Sequence, residues 1–339
     1  MPLVGPTRSL VKFGLAAFSK VKRHGLKHII QEAGIVGRKI TPYEVGFIIA
    51  PRINAVGRLK HAIDALRLLC TTDEKRAHQL ASQIGINNKE RQDLVKTSVE
   101  EAKKMVNSLI SAKTPNLPKL LILESKNWHE GIIGLIASKI TEEYSRPTIV
   151  LTESGGFLKG SARSISSFHI TNFLRDLKEF LIDVGGHKGA AGFTMEKSKF
   201  EQFAQTAQKK AEALISEKDL EKTSEADLKT PLSRISLNLA KAMEQLEPFG
   251  IGNPRPTFFS EAEIVDAKVF GRSNDHLKIF VKDPDSNSYP LELISFSNGD
   301  QLPKFSRGQK IEIVYSVEID RWGGSEKLRG KINQIKISN

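Results

Sequence analysis

The 339-residue chain contains a single cysteine, Cys70, which excludes an intrachain disulfide framework and any cysteine-rich zinc site. Tryptophan is nearly absent, at two residues, so few large indoles are available to build or cover a core. No stretch approaches the roughly 18 uninterrupted apolar residues of a membrane span, and the N-terminus lacks the apolar centre of a signal peptide. These absences predict a cytoplasmic protein with no membrane partner. Acidic residues are scarce at the front: residues 1–70 carry 12 Lys and Arg against 3 Asp and Glu. The balance is 7 against 6 over residues 71–112, 12 against 9 over 113–200, and 20 against 21 over 201–339. The net charge of +12 is therefore concentrated at the start of the chain. Clustered Lys and Arg displace counterions from phosphates, so a polyanion such as nucleic acid is the expected partner.

The most distinctive stretch is Gly185-Gly186-His187-Lys188-Gly189-Ala190-Ala191-Gly192-Phe193. Its glycines permit positive φ and close backbone approach, which predicts a glycine-rich turn whose amides cradle a phosphate. His187 and Lys188 would add donors. A plain tight turn is the alternative, but the small residues continue into a strand pattern, where glycine is unfavourable unless something must approach closely.

Around this stretch the chain divides. Residues 1–70 read as the end of an α/β unit, with a Pro- and Gly-bounded loop over residues 46–58 that presents Arg52, Asn54 and Arg58 to phosphate or sugar. Residues 71–112 are rich in helix formers and free of proline, which predicts a connector helix, once broken near Gly85 to Asn88. Asn88, Arg91 and Gln92 share one face of it, as binding residues or as a solvated polar surface. From 113 to 217 strands and helices alternate, including a helix expected from Trp128 to Tyr144 whose first amides could hold an anion, and a helix from Ile170 to Leu181. Residues 218–246 read as a linker with a short helix. From 247 to 339 about five strands suit a small OB-type barrel, with an SH3-like barrel as the alternative. Phe270, Phe280, Phe296 and Trp322 are its candidates for base stacking, each equally explicable as core.

These segments together resemble the C-terminal two-thirds of the RecJ-type single-stranded-DNA exonucleases of the DHH phosphoesterase superfamily. Pro51-Arg52-Ile53-Asn54-Ala55-Val56-Gly57-Arg58 is similar to that family's Pro-Arg-Leu-Asn-Ala-Ala-Gly-Arg segment, and Trp128-His129-Glu130-Gly131-Ile132-Ile133-Gly134 to a signature of its DHHA1 domain. Gly160-Ser161-Ala162-Arg163-Ser164, Gly185-Gly186-His187, and Glu247-Pro248-Phe249-Gly250 with Gly252-Asn253-Pro254 complete the match. The resemblance implies an α/β DHHA1-type domain with a mixed sheet plus an all-β OB-type barrel, joined by a long connector helix to a remnant of an α/β DHH domain. Its divisions are 1–70 for the remnant, 71–112 for the connector, 113–217 for DHHA1, 218–246 for the linker and 247–339 for the OB domain.

The resemblance further implies 5′–3′ hydrolysis of single-stranded DNA in repair and recombination, with Mn²⁺ or Mg²⁺ held by DHH motifs. Those motifs are missing: residues 1–14 resemble the segment just after the last metal-binding aspartate, so the chain is expected to be inactive alone. His24 and His28 have a helical i, i+4 spacing but stand among cations with only Glu32 nearby, so no metal site is expected in this chain. Arg163 and Ser164 would hold a substrate phosphate, assisted by Gly185, Gly186, Lys188 and Gly189, and His187 would contact a non-bridging oxygen near the scissile bond. Arg52, Asn54, Arg58, Trp128 and His129 would line the DNA path. Single-stranded DNA is the implied partner, with a single-stranded-DNA-binding protein or helicase as further candidates. The other function classes that fit are a non-catalytic single-strand-binding or replication scaffold and an oligonucleotide or cyclic-dinucleotide phosphodiesterase.

Overall fold

A computed structural model describes residues 1–59, 62–110, 116–271, 273–284, 286, 288–321 and 324–338. The expected boundary at 112/113 and the stacking candidate Trp322 lie outside the described residues. The chain forms two compact units, one of residues 1–19, 40–42 and 223–339, the other of 20–39 and 43–222.

In the second unit the regular elements among residues 20–70 are helices. They comprise α2 (His24–Glu32), a π-helical segment, Glu44–Ile49, that runs directly into α3 (Ala50–Leu59), and α4 (Ile63–Cys70). The loop expected over 46–58 is thus a helix. Pro51 follows directly on the π-helical segment, in which the Ala50 N–H donates to the Val45 carbonyl, so the helical run continues past the proline. Helix α5 (Glu74–Ser108) runs 35 residues without a break, capped by the Asp73 side chain, which accepts from the Arg76 N–H at 3.1 Å. Gly85 does not interrupt it, and the Glu32 carboxylate packs against the helix there.

A five-stranded sheet follows, in the order β1 (Leu121–Glu124), β2 (Thr148–Ser154), β3 (Phe157–Arg163), β5 (Ala190–Met195), β4 (Leu181–His187). Only β1 and β2 are parallel, so the sheet is mixed. Helices α7 (Ile170–Arg175) and α8 (Phe200–Leu214) cover one face, burying Leu158, Ala162, Phe193 and Phe203. Helix α6 (Ile133–Tyr144) packs with α5 on the other face, over Leu121, Leu123 and Val150. The helix expected from Ile170 to Leu181 stops at Arg175, and the glycine-rich turn is mostly strand: Gly185 to His187 belong to β4 and only Lys188 and Gly189 turn. Gly186, at φ 152°, could not carry a side chain, because a Cβ would collide with the Ala190 carbonyl.

In the first unit α1 (Gly5–Ala16) is tied to the region before the barrel, Arg8 Nη2 donating to the Leu246 carbonyl at 2.6 Å. Helix α9 (Glu217–Leu220) closes the second unit with a capping box at Ser216, and the first resumes with β6 (Leu228–Lys229) and α10 (Leu237–Glu244), giving structure to much of the stretch read as linker. The strands β7 (Thr257–Phe270), β8 (His276–Lys282), β9 (Leu291–Ser295), β10 (Lys310–Asp320) and β11 (Lys327–Ile337) pair in the circuit β7-β8-β9-β11-β10 and return through a β10–β7 pairing. With β9 and β11 parallel, this is the OB topology.

Tyr315 is fully buried in this barrel, its hydroxyl 3.0 Å from Ser260 Oγ, and burial pushes its pKa up to about 12. The fold therefore favours the neutral phenol. Its contribution to stability is complete below the unfolded value of about 10 and is lost as pH rises from there through about 12. In an alkaline titration followed at 295 nm, Tyr315 is expected to ionise only as the pH approaches about 12, together with barrel unfolding. Ionisation of all four tyrosines by about pH 10 with the fold intact would refute this.

Candidate phosphate site

Strand register assembles the site. Residues paired across neighbouring strands point to the same face, so Arg163, Ala190 and His187 form one row, Ser161, Gly192 and Gly185 the next, and Lys159, Thr194 and Asp183 a third. This face is opposite the Phe193 and Phe203 core. In the middle row glycine occupies two of three positions: a Cβ on Gly185 would meet nothing within 4 Å, and one on Gly192 only the Gly160 carbonyl at 3.9 Å. The sheet surface beside Ser161 is therefore bare.

The N-terminus of α6 meets this surface. A Cβ on Gly134 would stand 2.9 Å from Arg163 Nη2 and 3.0 Å from Ser161 Oγ, so glycine lets the helix end approach both. No side chain caps the helix and no carboxylate occupies its first turn, which leaves its partial positive charge available to an anion. Arg163 is held by Ser138 Oγ at 3.2 Å, Ser161 Oγ at 3.2 Å and the Ala162 carbonyl at 2.8 Å. Arg58 Nη1 donates to the Gly131 carbonyl at 3.1 Å. Burial, and then the Arg58 charge, depresses the pKa of the Arg163 guanidinium. Among the described residues neither arginine has a carboxylate within ion-pair distance, although Glu130 and Asp183 line the same cavity of about 660 Å³. Two partly desolvated cations beside a helix N-terminus can hold a phosphate.

Of the residues expected to bind, the cavity brings together Arg58 and Arg163, with Ser161, Lys159 and the backbone of Gly131 and Gly134 beside them. Ser164 does not join them: its hydroxyl donates to the Phe168 carbonyl at 2.8 Å. Position 164 falls just beyond the end of β3, whereas Ser161 has the same parity as Arg163, a period-two signal visible in the sequence. Arg52 pairs with Glu32 and donates to the Ile48 carbonyl at 2.9 Å, so it joins α2 to α3. Asn54 is exposed on α3. Trp128 is 3% exposed and donates to Glu101 Oε2 at 2.9 Å, placing it in the core. It precedes α6, which begins five residues later than expected because Trp128 to Ile132 form a turn in which His129 Nδ1 accepts from the Gly131 N–H.

His187 is exposed on the Arg163 row, its Nδ1 accepting from the Gly189 N–H at 3.3 Å. The Lys188 and Gly189 carbonyls accept from Ile170 and Ser164. The tip of the hairpin is thus pinned to the 164–170 loop, with Gly185, Gly186 and Lys188 exposed. His24 and His28 have a carboxylate that sequence reading missed, Glu74, at 4.0 and 3.9 Å. In the barrel, Phe270 and Phe296 are 6.2 Å apart with His276 5.1 Å from each, and Lys268 and Lys278 lie over Phe280 at 4.9 and 6.0 Å. Phe270 and Phe280 are half-buried and Phe296 exposed, outside the barrel core.

The class these features define is a DHHA1 domain followed by an OB barrel of RecJ type: residues 117–217 match the DHHA1 domain family and 226–334 the RecJ OB domain family. By these two domains the chain is of RecJ type. It is 31% identical over 341 residues to the single-stranded-DNA-specific exonuclease RecJ of Bacillus subtilis, covering 100% of this chain and 42% of that protein. RecJ of Thermus thermophilus is 31% identical over 95% of this chain and 44% of its own length. A crystal structure of the Thermus protein in complex with Mn²⁺ superposes with a TM-score of 0.82 at 27% identity, covering 100% of this chain and 48% of that one. The chain thus spans less than half the length of these two relatives. A second Thermus structure contains Mg²⁺. Among the described residues no group of three or more His, Cys, Asp or Glu side chains could hold such an ion. No helix among them is long and apolar enough to cross a membrane.

Proposed function

We propose that this chain is the strand-holding portion of a 5′–3′ exonuclease acting on single-stranded DNA. The observation that carries the reading is the Arg58 and Arg163 pair, without a carboxylate partner among the described residues, facing the uncapped end of α6 across a glycine floor. A phosphate seated there accepts from Arg163, Arg58, Ser161 Oγ and the first amides of α6. In this reading His187, on the same row as Arg163, donates to a non-bridging oxygen of a neighbouring phosphodiester, with Lys188 adding positive charge at the hairpin tip. In the barrel, Phe270, Phe280 and Phe296 stack bases while Lys268 and Lys278 meet the backbone. The described residues do not supply a metal ligand set, and their part is to bind and orient the strand. When bound in a complete protein, Mn²⁺ or Mg²⁺ would activate water and stabilise charge on the phosphodiester.

The test uses the chain with Mn²⁺ and end-labelled, 5′-phosphorylated single-stranded DNA. Retention of the strand without release of mononucleotides is expected, as is release once a domain carrying Asp-His-His metal motifs is fused ahead of residue 1. Failure to retain the strand would overturn the phosphate site. Mononucleotide release by the chain alone would overturn its dependence on outside metal ligands. A single-stranded-DNA-binding protein or a helicase as a further partner is tested by co-sedimentation with the same chain.

A further inference from the structure

Helix α5 carries a polar pair used by neither the core nor the cavity. Asn88 is 4% exposed, and its Oδ1 accepts from Arg91 Nη2 at 3.1 Å. Arg91 Nε is buried with no hydrogen-bond partner. Burial first, and then the Arg58 charge, depresses the pKa of the Arg91 guanidinium, and the same Arg58 acts on Arg163. Arg58 thus repels a guanidinium on α5 and another on β3. None of the three has a carboxylate within 4.0 Å among the described residues. If Arg91 served only to satisfy Asn88, a neutral amide would do so without the cost of placing like charges together away from water. A buried, unpartnered Nε in such a cluster calls for an anionic acceptor.

We propose that Arg91, Asn88 and Arg58 form a second anion subsite, which receives the second phosphate of a strand whose first phosphate is held at Arg163. The inference rests on the phosphate reading of the Arg163 cavity. Asn88 Oδ1 fixes one nitrogen of the Arg91 fork and leaves Nε to donate to a phosphate oxygen, while Arg58 is shared between the two subsites. A mononucleotide fills one subsite. Two consecutive phosphates fill both, and the second contact forms at high effective concentration.

The experiment measures binding of the 5′-phosphorylated mononucleotide pdA, the dinucleotide pdApdA, and the same dinucleotide with a neutral methylphosphonate linkage, by calorimetry on the full chain. The dinucleotide is expected to bind roughly 10-fold more tightly than pdA, and the methylphosphonate to bind like pdA, because the gain comes from charge. Arg91→Gln should bring the ratio of pdA to pdApdA dissociation constants close to one. It should also reduce the salt slope for pdApdA by about 0.7, the loss of one single-strand phosphate contact. Asn88→Asp, which supplies Arg91 with a carboxylate in place, should do the same, and it decides the matter if Arg91→Gln does not fold. An unchanged ratio in the folded variants, or a methylphosphonate that binds as tightly as pdApdA, overturns the subsite. If Arg163→Gln leaves pdA binding intact, the cavity reading itself fails. If Arg163→Gln weakens pdA while the ratio survives Arg91→Gln, only the second subsite fails.

Discussion

Replacing Arg163 by glutamine is expected to weaken binding of a 5′-phosphorylated single strand roughly 10- to 100-fold, the loss of a charge-assisted, partly desolvated contact. The same change should leave the melting temperature unchanged or raise it. In the free protein Arg163 stands near Arg58 with its charge disfavoured by burial, and glutamine removes that repulsion while keeping a donor for the Ala162 carbonyl. A purely structural arginine would behave in the opposite way, losing stability with little change in binding. Paired fluorescence titration and thermal denaturation therefore separate the two roles. A destabilised variant that still binds the strand at full strength would show that Arg163 is structural.

Gly131→Ala should be the most damaging of the conservative changes near the site. A Cβ at this position would fall well inside contact distance of the Arg58 carbonyl, which is backbone and cannot rotate away as a side chain could. Separating α3 from the turn before α6 should cost about 1–3 kcal/mol of stability. Binding should weaken as well, because Arg58 reaches its position by donating to the Gly131 carbonyl. Gly46→Ala is the control in the same unit: a Cβ there meets nothing within 4 Å, and the melting temperature should barely change. Equal melting temperatures for the two variants would mean that α3 and the turn are not in contact as described.

Much of this architecture was legible in the sequence, and the exceptions have physical causes. The barrel strands show period-two burial, as in β8, where Leu277, Ile279 and Val281 are buried between half-buried neighbours, and such alternation is readable without a partner strand. Strand β4 was hidden because Gly185 and Gly186 have low strand propensity, and pairing with β5 overrides it. The α3 helix was hidden by Pro51 and Gly57, which punctuate a sequence locally but are tolerated here, one directly after a π-helical segment and the other packed near Ala62. Within the site, Arg163 and Ser161 share one motif, and strand parity is what selects Ser161 over Ser164. The pairing of Arg52 with Glu32 was not legible locally, because Glu32 lies 20 residues away on another helix.

The two-residue turn at Lys188 and Gly189 has a consequence for how this site can change over time. Strand parity lets a hairpin slip only at the price of exchanging its faces: moving β5 by one residue against β3 would present Ala191 and Phe193 where Ala190 and Gly192 now lie beside Arg163 and Ser161. Substitutions in the pocket can retune it gradually. A single-residue insertion at the hairpin tip would replace the glycine floor with a phenyl ring in one step, so this exposed loop is expected to tolerate changes of residue and to reject changes of length.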